Sequence, residues 1–219
     1  MDPTSAHYMR HGTNMAPMKR TTDVDGQVSQ STRERILSAA REVFRENGYF
    51  HSRVEDIIQR CGVSRGTFYY YFRNKRHVFE ELVTAAVDEL FQEAGRRADG
   101  NDPYSRIESG NRGFLTVWVK HADVLRNLFQ VSMIDERFSD MHQRMRMQFI
   151  LRIRRRLAQE VVRGRCRRMN PDVVACALGA MMDWFAFLWL GSGAFEFPEV
   201  DFEEVVKELS NLWYRGVYG

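Results

Sequence analysis

Two short amphipathic patterns flank Gly62, and that juncture constrains the fold more than any other stretch of the chain. Upstream, Val54, Ile57 and Ile58 recur at spacings of three and four, which builds one apolar helical stripe. Ser52 precedes the stripe as an N-cap, and Glu55 stands where a capping box wants its acid. Gly62 tolerates positive φ, so the first helix can stop and turn sharply. Ser64 then caps a second helix, Arg65-Gly66-Thr67-Phe68-Tyr69-Tyr70-Tyr71-Phe72. A helix, a glycine turn and a second short helix make a helix-turn-helix. The second helix carries a base, a small hydroxyl and several phenols but no acid, the make-up of a major-groove reader.

The flanking sequence supplies the remaining helices. Ser31 or Thr32 caps a helix from Arg33 to Asn47, with Ile36, Leu37, Ala40, Val43 and Phe44 buried and Gly48 closing it. A long amphipathic pattern runs from Val78 to about Arg97 and is ended by Gly100-Asn101-Asp102-Pro103. Further helical patterns cover 104–120, 122–132, 136–164, 171–190 and 202–215, and no strand-like alternation of useful length occurs. The expected protein is all-α. Residues 1–30 are polar and aperiodic and read as a disordered tail, 31–77 as the helix-turn-helix domain, and 78–219 as a larger helical domain. Lys19 and Arg20 could extend a basic arm towards a minor groove, although composition favours an untethered tail.

Formal charge is only +3, so nucleic-acid affinity must come from local charge. Segment 64–77 supplies it, with Arg65, Arg73, Lys75 and Arg76 and no carboxylate. The three cysteines, Cys61, Cys166 and Cys176, lack metal-ligand spacing and read as reduced thiols. No apolar run opens the chain, and the most apolar window, Cys176 to Leu190, reads as too short to span a bilayer and contains Asp183. A cytoplasmic protein with no membrane partner is expected. No HExxH, GxSxG, phosphate-binding glycine loop or Cys/His cluster is present, so no enzyme activity, metal or cofactor is expected.

Residues 32–80 resemble the DNA-binding domain of TetR/AcrR-type transcriptional regulators. The resemblance rests on Ile36-Leu37, Ala39-Ala40, Val43-Phe44, Gly48-Tyr49, Val54, Ile57, the run from Cys61 to Phe72, and Asn74-Lys75. It covers under a quarter of the chain. Two departures stand out: Ser52-Arg53 where the family typically has Thr-Thr, and Tyr70 where many members have His or Asn. The resemblance implies a three-helix DNA-binding domain followed by a larger helical ligand-binding and dimerisation domain. It also implies that Lys75 grips a backbone phosphate. Together with the chemistry of the side chains, the expected DNA-contact set is Thr32, Ser52, Arg53, Ser64, Arg65, Gly66, Thr67, Tyr69, Tyr70 and Lys75. Phe68 and Phe72, four apart, are expected in the core.

The implied function is a DNA-binding regulator, a repressor released from a palindromic operator by a lipophilic or amphipathic small molecule. The alternative is an inducer-independent or architectural DNA-binding protein, which a fully packed large domain would favour. Aromatic and methionine residues adapt to irregular apolar ligands but fill ordinary cores equally well. The expected ligand set is Phe114, Trp118, His121, Phe129, Met133, Met145, Phe149, Met181, Trp184 and Phe185. Ten arginines between Arg144 and Arg168 face one acid, Glu160. They read as a solvated basic face, with an anionic ligand head group or steering towards DNA as the sharper alternatives. The resemblance also implies a homodimer through the last two helices, where Val173, Ala177, Leu178, Met181, Met182, Phe185, Leu188 and Trp189 are followed by Val205, Val206, Leu209, Leu212 and Trp213.

Overall fold

The computed structural model describes residues 22–95, 102–190 and 199–219. Among these the regular structure is entirely helical: α1 Thr22–His51, α2 Val54–Cys61, α3 Arg65–Tyr71, α4 Lys75–Glu93, α5 Pro103–Ser132, α6 Glu136–Val162, α7 Pro171–Leu190 and α8 Phe202–Tyr218. The basic arm at Lys19 and Arg20 and the helix stop at Gly100-Asn101 lie outside the described residues, as does the tail up to residue 21.

α1 starts nine residues upstream of the expected cap at Ser31, because Gln27 to Gln30 offers no proline to stop a helix continuing backwards. Its helical geometry ends at Gly48, whose φ is 72°, as the sequence anticipates. α5 likewise breaks where two patterns were expected to meet, at His121, with φ −120° and ψ 23°.

The head comprises α1 to α3 and the start of α4. Ile36, Val43, Phe44, Ile57, Phe68, Phe72, Val78 and Phe79 are buried together, and their apolar cluster continues without a gap into α5, α7 and α8. A polar joint fixes the two parts. The buried Asn127 side chain donates from Nδ2 to the Phe44 carbonyl (3.2 Å), and its Oδ1 accepts from the Tyr49 N–H (2.7 Å). Beside it, Arg41 grips both oxygens of Asp123 at 2.7 and 2.9 Å. Arg76 pairs with Asp135 and Arg137 with Glu80 (2.9 Å), adding links at the α5–α6 corner.

α4 runs from the head into the body. At its far end the backbone of Glu93 lies against Gly113 of α5, where an added Cβ would stand 2.4 Å from the Glu93 carbonyl oxygen. Only glycine admits that approach. A second, smaller apolar cluster of Leu157, Ala175 and Val217 joins α6, α7 and α8 at the end of the body.

Candidate functional site

The turn between α2 and α3 follows the sequence closely. Gly62 has φ 66° and ψ 30°, and its N–H donates to the Ile58 carbonyl (3.0 Å). The Ser64 Oγ accepts from the Thr67 N–H (3.0 Å), and the Thr67 hydroxyl lies 2.8 Å from the same oxygen. Phe68 and Phe72 are fully buried, so α3 is pinned by one face. The opposite face is open: Tyr70 is 81% exposed, Tyr69 45% and Gly66 exposed. The Arg65 guanidinium sits 5.7 Å from the Tyr69 ring centroid and 3.4 Å from Glu55. That pair is solvent-exposed and worth little, so a phosphate or base can replace the carboxylate. Arg53 is exposed one turn away, at the start of α2.

Several expectations need correcting. Ser52 is not the cap of α2. It is buried, and its hydroxyl donates to the Gly48 carbonyl at 2.6 Å. Arg53 takes the cap position, and its N–H donates to Asp56 rather than to Glu55 (2.7 Å). Adjacent acids at 55 and 56 make the register ambiguous from sequence, and the burial of Ser52 decides it. Lys75 also points inward. Its ammonium donates to the carbonyls of Tyr49 (2.6 Å) and Ser52 (2.7 Å) and lies 4.3 Å from the Tyr49 ring centroid. Burial lowers its pKa. Arg76 is turned to Asp135, away from α3. The charge on segment 64–77 is therefore smaller at the open face than in the sequence, and Glu55 reaches it from α2. Thr32 is half-buried on α1.

The second site is a cavity of about 730 Å³ in the body. It lies at the seam between the two apolar clusters, with Phe114 and Met182 from one and Leu157 and Val217 from the other. Three of the expected ligand residues meet there, Phe114, Met145 and Phe149. The other seven do not line it. Trp118 is buried in the continuous core, and Met181 and Phe185 pack against that core. His121 sits at the α5 break, its Nε2 2.9 Å from Glu89. Phe129 stacks on Phe187 with centroids 4.1 Å apart, and Trp184 stacks on Phe187 at 5.4 Å. Met133 is exposed at the end of α5. Aromatic content marks the right helices but not the inward face.

What sequence reasoning left out of the ligand set is the charge in this wall. Arg106, Arg146, Arg152, Arg155 and Arg156 line it against a single carboxylate, Asp183. The signal was present: Met145, Phe149, Arg152 and Arg156 follow at four, three and four residues, one stripe of α6. Asp183 is buried and its pKa is raised by that burial, opposed by Arg146 at 3.1 Å. His142, on the far side of Asp183 at 3.9 Å, is pushed down to about 4 by burial and by Arg146. The polar end of α4 also reaches the cavity: Ala94 and Gly95 line it, and Arg152 donates to the Phe91 carbonyl (3.4 Å).

Two further corrections concern the last helices. α7 has 20 residues and is long and apolar enough to cross a membrane by length and composition, so shortness does not exclude a span. On α8, Val205, Val206 and Leu209 are buried within the chain itself. The apolar stripe left exposed is on α7, where Val173, Cys176, Ala177, Ala180 and Trp184 recur at helical spacing.

Comparison with known proteins is consistent with this geometry. The model of the bacterial regulatory proteins, tetR family, matches residues 36–82. The HTH-type transcriptional regulator UidR of Escherichia coli is 40% identical over 55 residues, 25% of this chain and 28% of UidR. The chain thus matches under a third of that relative's length. The HTH-type transcriptional regulator EthR of Mycolicibacterium smegmatis is 25% identical over 191 residues, covering 84% of this chain and 85% of EthR. The crystal structure of the TetR family regulator PfmR from Thermus thermophilus superposes with a TM-score of 0.67 at 20% identity, over 82% of this chain and 97% of that one. That likeness is one of fold.

Proposed function

We propose that this chain, whose head matches the tetR-family model over residues 36–82 and whose fold resembles that of PfmR, is a dimeric repressor of that family, released from a palindromic operator by a small molecule in the α5–α8 cavity. Residues 31–77 act as the reading head and 78–219 as the ligand-binding and dimerisation domain. Arg65, Thr67 and Tyr69 contact base edges, because they lie on or beside the open face of α3. Arg53 and Tyr70 contact phosphates, as does the third Lys75 N–H, the other two being held by carbonyls. One head covers too few base pairs for useful specificity, and a twofold dimer supplies a second about 34–36 Å away or a multiple of it. The exposed stripe of α7, together with the exposed Leu212 of α8, is the dimer surface. Burying α7 in this way also accounts for its apolar composition in a cytoplasmic protein.

The observation that carries the mechanism is the span of α4. It begins in the head at Lys75, and its far end forms part of the cavity wall at Ala94 and Gly95. A ligand that binds better when that wall is displaced lowers operator affinity by the same differential free energy. The cavity itself supports this reading over the inducer-independent one, which would call for a filled core. The experiment is to select operator fragments from random DNA and then titrate candidate ligands against the complex, with and without a crosslink holding the two heads at DNA-competent spacing. Ligand release that the crosslink abolishes is expected. Release that persists in the crosslinked dimer would refute the lever, and failure to select any operator would refute the repressor.

A further inference from the structure

The cavity wall combines apolar and aromatic side chains with several arginines. Phe114 of α5 and Phe149 of α6 face each other with ring centroids 5.4 Å apart, and Met145 and Met182 join them in the wall. Arg106 stands about two turns before Phe114 on α5, and Arg156 two turns beyond Phe149 on α6. At a rise of 1.5 Å per residue both offsets are about 10–12 Å. The two helices thus carry a cationic pair to the same end of the cavity, where Arg152, Arg155 and the Tyr218 ring also line it.

The carboxylates near Arg155 and Arg156 are engaged by other arginines. The one carboxylate in the wall, Asp183, is already engaged by Arg146. Elsewhere in the run Arg154 pairs with Asp172 and Arg165 with Glu160, so the acids near α6 are taken. No ion pair joins Arg155 or Arg156 to a carboxylate among the described residues. Burial and the neighbouring Arg106 and Arg152 cations lower the Arg156 pKa, opposed by Tyr218 and by Glu160, whose carboxylate is held by Arg165. Arg152, Arg155 and Arg156 are exposed to solvent and also line the cavity, so they stand at its rim rather than on a face turned away from it.

We propose that the cavity takes an amphipathic anion, an apolar tail lying between Phe114, Phe149 and Met182 and a carboxylate or phosphate head held by Arg152, Arg155 and Arg156. The guanidinium fork suits either head group, since both present paired oxygens. This rests on the reading of the cavity as the effector site and specifies its ligand.

The test uses the full chain and three probes of one tail length: dodecanoate, dodecyl phosphate and uncharged 1-dodecanol. Binding is followed by the fluorescence of Trp213, which lines the cavity, and by calorimetry at two salt concentrations. Both anions, or one of them, are expected to bind at least tenfold tighter than the alcohol, with an advantage that shrinks as salt rises. Which anion leads identifies the head group as carboxylate or phosphate. The variant Arg155→Gln/Arg156→Gln should lose that tenfold advantage while keeping its affinity for the alcohol, and retained alcohol binding shows that the variant is folded. Alcohol binding as tight as the anions to the parent chain overturns the head-group inference and leaves the effector cavity standing. Binding of none of the three overturns the effector cavity itself, and the inference with it. The parent-chain comparison decides the matter even where the variant does not fold.

Discussion

Phe44, Phe68, Phe72 and Phe79 fill the interior of the head, where Ser52 is the one buried polar side chain among the described residues, whereas the body buries Asn111, His121, Asn127, His142, Glu160, Asp183 and Ser210 and encloses a cavity. The head spends its sequence on a packed interior and turns its functional chemistry outwards on α3. The body turns its chemistry inwards. A reading surface has to be rigid to keep a register on DNA, and a close-packed aromatic interior provides that. If the body responds to a ligand as proposed, it needs two arrangements of similar energy, which unfilled volume and buried charge can supply.

The largest expected effect tests whether this contrast divides the molecule thermodynamically. Phe68→Ala removes a fully buried ring from the head and should cost about 3–5 kcal/mol. The apolar cluster runs unbroken from Ile36 to Leu209, so the loss should appear as one cooperative urea transition at lower midpoint, reported alike by far-UV dichroism and by tryptophan fluorescence. Two separated transitions would show that head and body fold apart.

The body's buried charge should show in the pH dependence of stability. His142 keeps a pKa of about 4 in the folded chain against an ordinary 6.5. The native pKa is the lower one, so the unfolded chain takes up a proton that the folded chain refuses. Stability attributable to His142 is full above pH 6.5, falls as pH drops through the window from 6.5 to about 4, and levels off below it. The loss is at most roughly 3 kcal/mol. Asp183 works the other way, since its raised pKa makes its burial less costly as pH falls. Denaturation midpoints measured across the window for the parent and for His142→Asn should differ in slope, and parallel slopes would remove His142 from the account.

The same contrast explains what was legible in the sequence. Gly62, Ser64, Phe68 and Phe72 were readable because each acts through neighbours within a turn or two: a backbone angle, a cap, a buried stripe. Ser52 was misread for a local reason, a one-residue ambiguity between two adjacent acids. The anchoring of Lys75 was not legible for a longer-range reason, since nothing near it in sequence says that the Tyr49 and Ser52 carbonyls converge on its ammonium. The cavity depends almost wholly on such convergence. Phe129 and Trp184 each stack on Phe187 although their composition fitted a ligand site equally well. Arg152 and Arg156 line the cavity only because α5, α7 and α8 close over that stripe of α6.

A smaller effect probes the joint between the two regions. Asn127→Ala leaves the Phe44 carbonyl and the Tyr49 N–H without their shared partner in a buried place. It should cost about 1–3 kcal/mol. Because those two groups flank Gly48, the head should also become less firmly oriented on the body. Faster amide hydrogen exchange at Tyr49, with protection of Phe68 unchanged, is the expected signature. Equal acceleration at both sites would mean that Asn127 serves global stability alone.

The smallest effect isolates the outward chemistry of the head from its packing. Arg53 is exposed at the cap of α2, and only its backbone N–H, bonded to Asp56, is part of the capping arrangement. Arg53→Ala keeps that N–H and buries nothing new, so denaturation midpoints should be unaltered within error. As a phosphate contact, Arg53 contributes to affinity by releasing a counter-ion, which is independent of DNA sequence. The substitution should therefore weaken binding to operator and to random duplex by the same factor and make the slope of log affinity against log salt shallower by about 1. Arg65, by contrast, is proposed to read bases, and its loss should then fall more heavily on the operator than on random DNA. If Arg53→Ala instead weakened operator binding selectively, the reading surface would extend beyond α3 onto α2, and the division between a base-reading helix and a phosphate-gripping neighbour would have to be redrawn.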